Sequence, residues 1–184
     1  KPVRVFYIGS AYGFEYNFGL RQRQFTQAGA ELMGDGCTRS DAEILLLAGQ
    51  CMEEIGITDY VLDIGHVGVF TGLVKEAGLN EEQADALQRC IDGKILPELQ
   101  NLIERFEIDD AYAQAFYRLA ELYGGPEILD EAADIFKIEK CQQAIEQLRK
   151  TLRALKNNDI YNKITIDLGL LPDINYYTGP VFRG

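Results

Sequence analysis

Residues 21–32 read RQRQFTQAGAEL, and the fold is best approached from this stretch. Apolar and polar residues alternate as in a β-strand, where successive side chains point to opposite faces. Gln27, Gly29 and Glu31 therefore share one face. A glycine inside a strand often marks the close approach of a ligand or of another backbone. The pattern suggests a polar site; the alternative is an ordinary solvated sheet face with a bulge at Gly29.

A second stretch near the end of the chain has a similar pattern of polar residues and glycine. Residues 174–182, INYYTGPVF, are rich in β-forming residues and predict a strand. In that strand Asn175, Tyr177 and Gly179 would share a face, which again combines polar groups with a glycine. If both strands line one pocket, a small ligand with an ammonium group would suit Glu31, Gln27 and a tyrosine hydroxyl.

The remaining pattern up to residue 68 predicts a hairpin, a helix and a strand. Ser40 resembles a helix N-cap, with Glu43 as its capping-box partner, and Gly56 resembles the stop of that helix. The predicted strands are 3–8, 23–33 and 60–67, with a long connection at 11–22.

Residues 69–157 are helical in pattern almost throughout. Breaks are predicted at AGLN, DGK, EIDD and YGGPE, and the last helix has apolar residues every three or four positions from Ile138 to Leu155. A strand at 164–168 precedes the one at 174–182. We therefore predict an α+β fold with a mainly antiparallel sheet and helices on one side. The expected division is 1–68 for the first part of the sheet domain, 69–157 for a helical insertion and 158–184 for the return to the sheet.

Composition limits the classes of function. The 184 residues are 47% hydrophobic and carry a net charge of −11. The acidic balance argues against a nucleic-acid-binding surface, because phosphate contacts need clustered Lys and Arg. No apolar run is long enough for a membrane span. The chain starts at Lys1 and stops just after a predicted strand, so we expect it to be a piece of a longer protein.

The four cysteines give no sign of a metal site. Cys37, Cys51, Cys90 and Cys141 are widely spaced, and the chain has a single histidine. Ligand spacings such as CxxC are absent, so neither a metal nor a cofactor is predicted. We expect buried, reduced thiols and a cytoplasmic location.

Several motifs together resemble the catalytic core of histidyl-tRNA synthetase, a class II synthetase. RQRQFTQAGAELMG is similar to the strand that follows the motif 2 loop, and NYYTGPVF is similar to the histidine-specific stretch. DIGHVGVF and AELYGGPEIL look more like a non-aminoacylating relative, the regulatory subunit of ATP phosphoribosyltransferase. The resemblance covers nearly the whole chain and implies the class II antiparallel sheet with flanking helices and a helical insertion.

The resemblance also implies a histidine site. Carried over by position, the histidine-binding glutamine falls on Gln27, the glutamate that takes the ammonium falls on Glu31, and the tyrosine near the imidazole falls on Tyr177. Arg23 and Tyr176 belong to the same two motifs and complete the predicted site. These positions include the residues that the strand pattern had already selected.

Two departures from the synthetase pattern concern catalysis. YGFE replaces the motif 2 FRxE, so Gly13 stands where an arginine would hold the ATP α-phosphate. LLPDINYY replaces LVRGLDYY, so Pro172 stands where the second catalytic arginine would be. Neither glycine nor proline can stabilise phosphate charge, and the loss of one such group typically costs on the order of 10²–10³ in rate.

A retained amino-acid pocket without activation chemistry implies a histidine sensor rather than an enzyme. In the regulatory-subunit reading, the full-length protein dimerises, pairs with the short catalytic subunit of ATP phosphoribosyltransferase, supports its activity and carries histidine feedback. Two alternatives stay open at the level of sequence. One is an active histidyl-tRNA synthetase, and the other is a synthetase-like module that senses uncharged tRNA.

His66, the lone histidine, follows a predicted strand. It has no nucleophile or metal ligand near it in sequence, so a structural role is favoured over a catalytic one.

Overall fold

The computed structural model describes residues 1–13, 24–172 and 176–184. Two strands come first, followed by a helix, a strand, six more helices and the remaining strands. In chain order the elements are β1 (Val3–Tyr12), β2 (Gln24–Met33), α1 (Thr38–Glu54), β3 (Leu62–His66), α2 (Val67–Glu76), α3 (Glu81–Asp92), α4 (Leu96–Arg105), α5 (Asp110–Glu121), β4 (Tyr123–Gly124), α6 (Ile128–Ile135), α7 (Glu139–Leu155), β5 (Ile164–Asp167) and β6 (Pro180–Arg183).

Strands β1 and β2 form an antiparallel two-stranded sheet of their own, with Val3 opposite Met33 at one end and Tyr12 opposite Gln24 at the other. Both faces of this hairpin are largely exposed, and Phe6 keeps 81% of its surface accessible. An ion pair between Arg4 of β1 and Glu43 of α1 joins the hairpin to the first helix, with 2.7 Å between Nη2 and Oε2. The hairpin is therefore a projecting element.

Gly29 is explained by its neighbour across the hairpin. Tyr7 lies opposite Gly29 in the register, and its ring covers the glycine so closely that a Cβ there would overlap with it. The Tyr7 hydroxyl accepts a hydrogen bond of 2.9 Å from Nε2 of Gln27. The gap in the sequence pattern is therefore filled by a cross-strand tyrosine, which also orients the Gln27 amide.

The second sheet has four strands in the order β4-β5-β3-β6. β3 pairs in parallel with β5, because the six helices between them bring the chain back to the same end of the sheet. β6 and β4 pair antiparallel at the two edges. The pairing among the described strands is therefore mainly antiparallel, as predicted, with the parallel pair of β3 and β5 as an exception.

Helix α7 packs against α1, α2 and β3. Its apolar face buries Cys141, Ile145 and Leu148 almost completely. Two glycines one turn apart on α2 allow the close approach: a Cβ at Gly68 would meet Ala144 at 3.0 Å, and one at Gly72 would meet the Cys141 sulfur at 2.7 Å. This packing closes the main core of the described residues.

The periodicity located the helices well. Each predicted break, at AGLN, DGK, EIDD and YGGPE, falls between the end of one helix and the start of the next. The predicted stop at Gly56 is confirmed, since α1 ends at Glu54 and Gly56 adopts a positive φ of 85°. One hydrophobic cluster includes residues of all three predicted segments, 1–68, 69–157 and 158–184, and that division remains a prediction.

The predicted start of α1 is wrong. The helix begins at Thr38, with Cys37 in the N-cap position and no side-chain cap. Ser40 lies inside the first turn and is buried, while Glu43 pairs with Arg4 instead of closing a capping box. The tertiary contact with the hairpin has taken the glutamate that the local motif would have used.

The last strand is shorter than predicted. Among the described residues of 174–182, positions 176–179 form a turn and bends, and β6 starts at Pro180. Proline has no N–H to donate and is tolerated at the first position of an edge strand such as β6. Tyr177 and Gly179 therefore do not share a strand face.

Two further expectations need correction. Cys90 and Cys141 are buried free thiols as predicted, but Cys37 and Cys51 are exposed. The short strand β4 was missed because Tyr123 and Gly124 look like a helix break, and its pairing with β5 is a tertiary contact.

The contact between Tyr7 and Gly29 generates a first prediction. Gly29→Ala should weaken the hairpin by about 1–3 kcal/mol, because the methyl group displaces the Tyr7 ring. In a Tyr7→Ala background the same change should cost little, since the space is then open and alanine suits a strand better than glycine. Hydrogen exchange of the β1 and β2 amides would measure both effects. Equal costs in the two backgrounds would contradict this explanation of Gly29.

Candidate functional site

One half of the predicted site lies on the hairpin. Gln27 and Glu31 are both exposed on β2, and they share a face with Gly29 between them. The Gln27 amide is held by Tyr7, so one polar group on this face has a fixed direction. An amide and a carboxylate four residues apart on one strand face could contact two polar groups of a small ligand.

The other half lies in the segment before β6. Tyr176 and Tyr177 stack in a tilted arrangement, with 4.8 Å between ring centroids. A hydrogen bond with Tyr176 raises the pKa of the Tyr177 hydroxyl above its ordinary value. Tyr176 is 74% exposed and Tyr177 is 39% exposed. The pair thus offers an aromatic surface with a hydroxyl group.

Tyr177 lines a cavity of about 240 Å³ between α2, α3 and the segment after β5. Its apolar lining includes Phe70, Leu171 and Pro172. Its polar lining consists of Thr71 on α2 and Glu81, Asp85 and Gln88 on α3. Among the described residues that line the cavity, none belongs to the hairpin. Tyr177 and Pro172 therefore line the same cavity, whereas Gln27 and Glu31 lie on the hairpin.

The sequence missed the residues that α3 contributes to this cavity. Glu81, Asp85 and Gln88 recur at helical spacing on one face of α3. That spacing is equally typical of a solvated helix face, so it gave no sign of a cavity. Only the packing of α3 beside α2 and Tyr177 distinguishes the two.

Gly13 and Pro172 are the two positions at which the synthetase pattern predicts an arginine. Gly13 follows β1 and is exposed, and a Cβ there would meet only Phe25, at an ordinary distance of 3.5 Å. No steric constraint from the described residues therefore demands glycine at position 13. The Pro172 carbonyl accepts a 2.6 Å hydrogen bond from Gln88, which ties the segment after β5 to α3. Pro172 therefore makes a structural contact through its backbone.

Two residues from the sequence argument lie outside the described residues. They are Arg23, which precedes β2, and Asn175, which precedes Tyr176.

His66 is buried at the junction of β3 and α2, and only 3% of its surface is accessible. Its Nδ1 accepts a 2.9 Å hydrogen bond from the Gly68 N–H and caps α2. Its Nε2 lies 3.2 Å from Oε1 of Gln147 on α7. Burial lowers the pKa of this imidazole, while the hydrogen bond to Gln147 opposes the shift. The structure agrees with the expected structural role.

Comparison with known proteins gives the family. The histidyl-tRNA synthetase family model matches residues 1–184. The chain belongs to the histidyl-tRNA synthetase family.

Within this family the similar proteins are of more than one kind. A protein of Desulforamulus reducens named ATP phosphoribosyltransferase regulatory subunit is 37% identical over 183 residues, which is 100% of this chain and 46% of that protein. The crystal structure of an ATP phosphoribosyltransferase regulatory subunit/histidyl-tRNA synthetase from Bacillus halodurans has a TM-score of 0.86 and 27% identity, and covers 99% of this chain and 47% of its own. The chain spans about half the length of the curated relatives it matches.

A more distant structure shares the fold. It is the ATP phosphoribosyl transferase (HisG:HisZ) complex from Thermotoga maritima, at 20% identity and a TM-score of 0.71, covering 99% of this chain and 62% of the matched chain. The α+β fold with a synthetase-like arrangement, expected from the motifs, is confirmed by these comparisons. No described helix combines the length and the apolar composition needed to cross a bilayer.

The environment of His66 predicts how stability depends on pH. The pKa of His66 is lowered in the folded state. As the pH falls through about 6.5, the imidazole therefore becomes protonated in the unfolded state while it stays neutral in the folded state. The stabilisation is complete above that pH. It is lost as the pH falls, at about 1.4 kcal/mol per pH unit, until the folded pKa is reached.

Asparagine can cap α2 without titrating, so His66→Asn should flatten this part of the pH profile. Urea unfolding of both proteins between about pH 7 and 5 measures the difference, because the other groups titrate alike in both. Parallel profiles would show that His66 has no depressed pKa.

Proposed function

We propose that this chain is part of a regulatory subunit of ATP phosphoribosyltransferase that binds histidine without activating it. The observation that carries the proposal is the similarity over the full chain to proteins named as that subunit, at 37% identity for the Desulforamulus reducens protein. The residues at the two arginine positions, Gly13 and Pro172, agree with it.

The argument against amino-acid activation is electrostatic. In activation the amino-acid carboxylate attacks the α-phosphate of ATP and pyrophosphate leaves, which builds charge at that phosphate. Fixed cations at that point usually supply the largest catalytic effect. Gly13 has no side chain, and Pro172 presents a carbonyl that is already bonded to Gln88. The described residues around the Tyr177 cavity add carboxylates at Glu81 and Asp85 rather than cations.

The proposed histidine site keeps the groups that recognise an amino acid. Glu31 supplies a negative charge for a cationic group of the ligand, Gln27 supplies an oriented amide, and Tyr177 supplies an aromatic contact with a hydroxyl. Arg23 and Tyr176 complete the proposed set. Because the chain spans about half of its relatives, the complete site is proposed for the whole protein.

Feedback control requires more than binding. Histidine must bind one state of the assembly with the catalytic subunit better than the other, since a ligand with equal affinity for both shifts nothing. The proposed partner is the catalytic subunit of ATP phosphoribosyltransferase, with a cytoplasmic location and dimerisation of the whole protein. The presence of a fold neighbour in a complex of that enzyme supports the choice of partner.

Binding can be tested by calorimetry on the whole protein. Glu31→Gln should weaken histidine binding about 10- to 100-fold, because it removes a charge-assisted contact. Gln27→Ala should cost about 2- to 10-fold, because it removes a neutral hydrogen bond. Glu54→Gln, an exposed carboxylate at the end of α1, is the matched control and should bind as the wild type does. Equal losses in the first two variants would undo the assignment of Glu31.

The alternative function is that of a histidyl-tRNA synthetase, which the family model favours. The two proposals differ in a measurable reaction. The whole protein should show no histidine-dependent pyrophosphate exchange, and it should co-purify with the catalytic subunit of ATP phosphoribosyltransferase and raise its activity. Clear exchange would establish the synthetase reading, and failure to associate would reject the regulatory one.

A further inference from the structure

A chain of hydrogen bonds starts at the buried His66 and has a fixed direction. Asp41 on α1, as a carboxylate, can only accept, and it takes a 3.1 Å hydrogen bond from Nε2 of Gln147. Gln147 must therefore turn its Oε1 toward His66, at 3.2 Å. Nδ1 of His66 accepts from the Gly68 N–H, so the imidazole proton lies on Nε2 and is donated to Gln147. The network accommodates only the neutral imidazole.

This network lies beside the segment that carries Tyr177. His66 pairs with Pro180 across β3 and β6, and the Val67 N–H donates to the Gly179 carbonyl at 3.4 Å. A Cβ at Gly179 would lie 4.0 Å from Nε2 of Gln147, an ordinary contact distance, so Gln147 is a neighbour of this segment. Gly179 is two residues from Tyr177.

The network also contacts the cavity wall that is formed by the start of α2. Val67 follows His66 directly and lines the cavity together with Thr71 and Tyr177. His66 holds the first turn of α2 through its bond to Gly68. The imidazole thus holds the start of α2, and the backbone of Val67 in that first turn is bonded to the Tyr177 segment at Gly179. His66 itself is not among the described residues that line the cavity.

We propose that His66 is a positioning residue for the ligand that binds at Tyr177, and that its neutral imidazole keeps the start of α2, to which Gly179 is hydrogen-bonded, in the binding arrangement. The proposal rests on the histidine site proposed above. A proton on Nδ1 would oppose the Gly68 N–H with a second donor and release the cap of α2. Ligand affinity should then fall although the ligand does not touch His66.

The charged groups that face His66 influence the pH at which its imidazole becomes protonated. Asp41 on α1 favours the protonated form, and Lys140 on α7 disfavours it. The neighbours on β6, Gly179 and Pro180, do not titrate. Burial is the largest effect and lowers the pKa, so the affinity should be constant at neutral pH and fall only in the acidic range.

The test is the pH dependence of histidine binding to the whole protein, measured by calorimetry. Histidine titrates in the same range, so the wild type is compared with His66→Asn, which keeps a cap for α2 and cannot titrate. Below the pKa of His66, the wild type should lose affinity relative to His66→Asn by roughly tenfold per pH unit.

A second variant keeps every hydrogen-bonding group. In Asp41→Asn/Gln147→Glu the amide and the carboxylate exchange places, so the new carboxylate faces His66 and raises its pKa. The loss of affinity should move to higher pH in this variant. A purely structural role for His66 would lower stability without moving the profile.

The outcomes separate the two proposals. A steeper wild-type profile together with a shifted double-variant profile supports the positioning role. Identical pH profiles in all three proteins overturn that role and leave histidine binding intact. Absence of histidine binding at every pH, in a wild-type protein that unfolds cooperatively, overturns the proposed function and this inference with it.

Discussion

The packing of α7 against α2 is the contact on which the described structure depends. Gly68 and Gly72 bring the backbone of α2 close to α7, and Cys141 fills the space between the two helices. The Cys141 thiol donates to the Val69 carbonyl at 3.3 Å, and burial raises its pKa to about 11. Because interiors pack at near-crystalline density, this small-residue seam fixes the position of α2 and leaves little freedom at its N-terminus.

The contact of Gly68 and Gly72 with Cys141 also fixes the positions of the polar groups of α7. Gln147 lies further along the same helix than Cys141, and it contacts Asp41 and His66 because α1 and α2 both pack on α7. The buried histidine is satisfied on both ring nitrogens, which makes its burial tolerable. A rigid apolar seam and a directed polar network thus occupy one helix, and both end close to the Tyr177 segment.

The hairpin and the Tyr177 cavity represent two ways to build a recognition surface. On the hairpin, Tyr7 covers Gly29 and orients the Gln27 amide, so the polar face is organised by one cross-strand contact. At the cavity, side chains from α2, α3 and the turn before β6 are brought together by packing. The proposal that both contribute to histidine binding rests on the resemblance to the synthetase motifs.

The sequence by itself determined the helix pattern, the α+β class and the identity of the residues at the candidate positions. Periodicity predicted α7 because the residues on the buried face of a helix recur every three or four positions and are apolar. The sequence failed where a distant contact overrode a local motif, as when Arg4 took Glu43 from its capping box. Only the tertiary structure decided that His66 meets Gln147, that Tyr7 fills the place of Gly29, and that Tyr177 faces α3 across a cavity. The reason is physical: periodicity tells which face of an element is buried, and packing decides which side chain it meets.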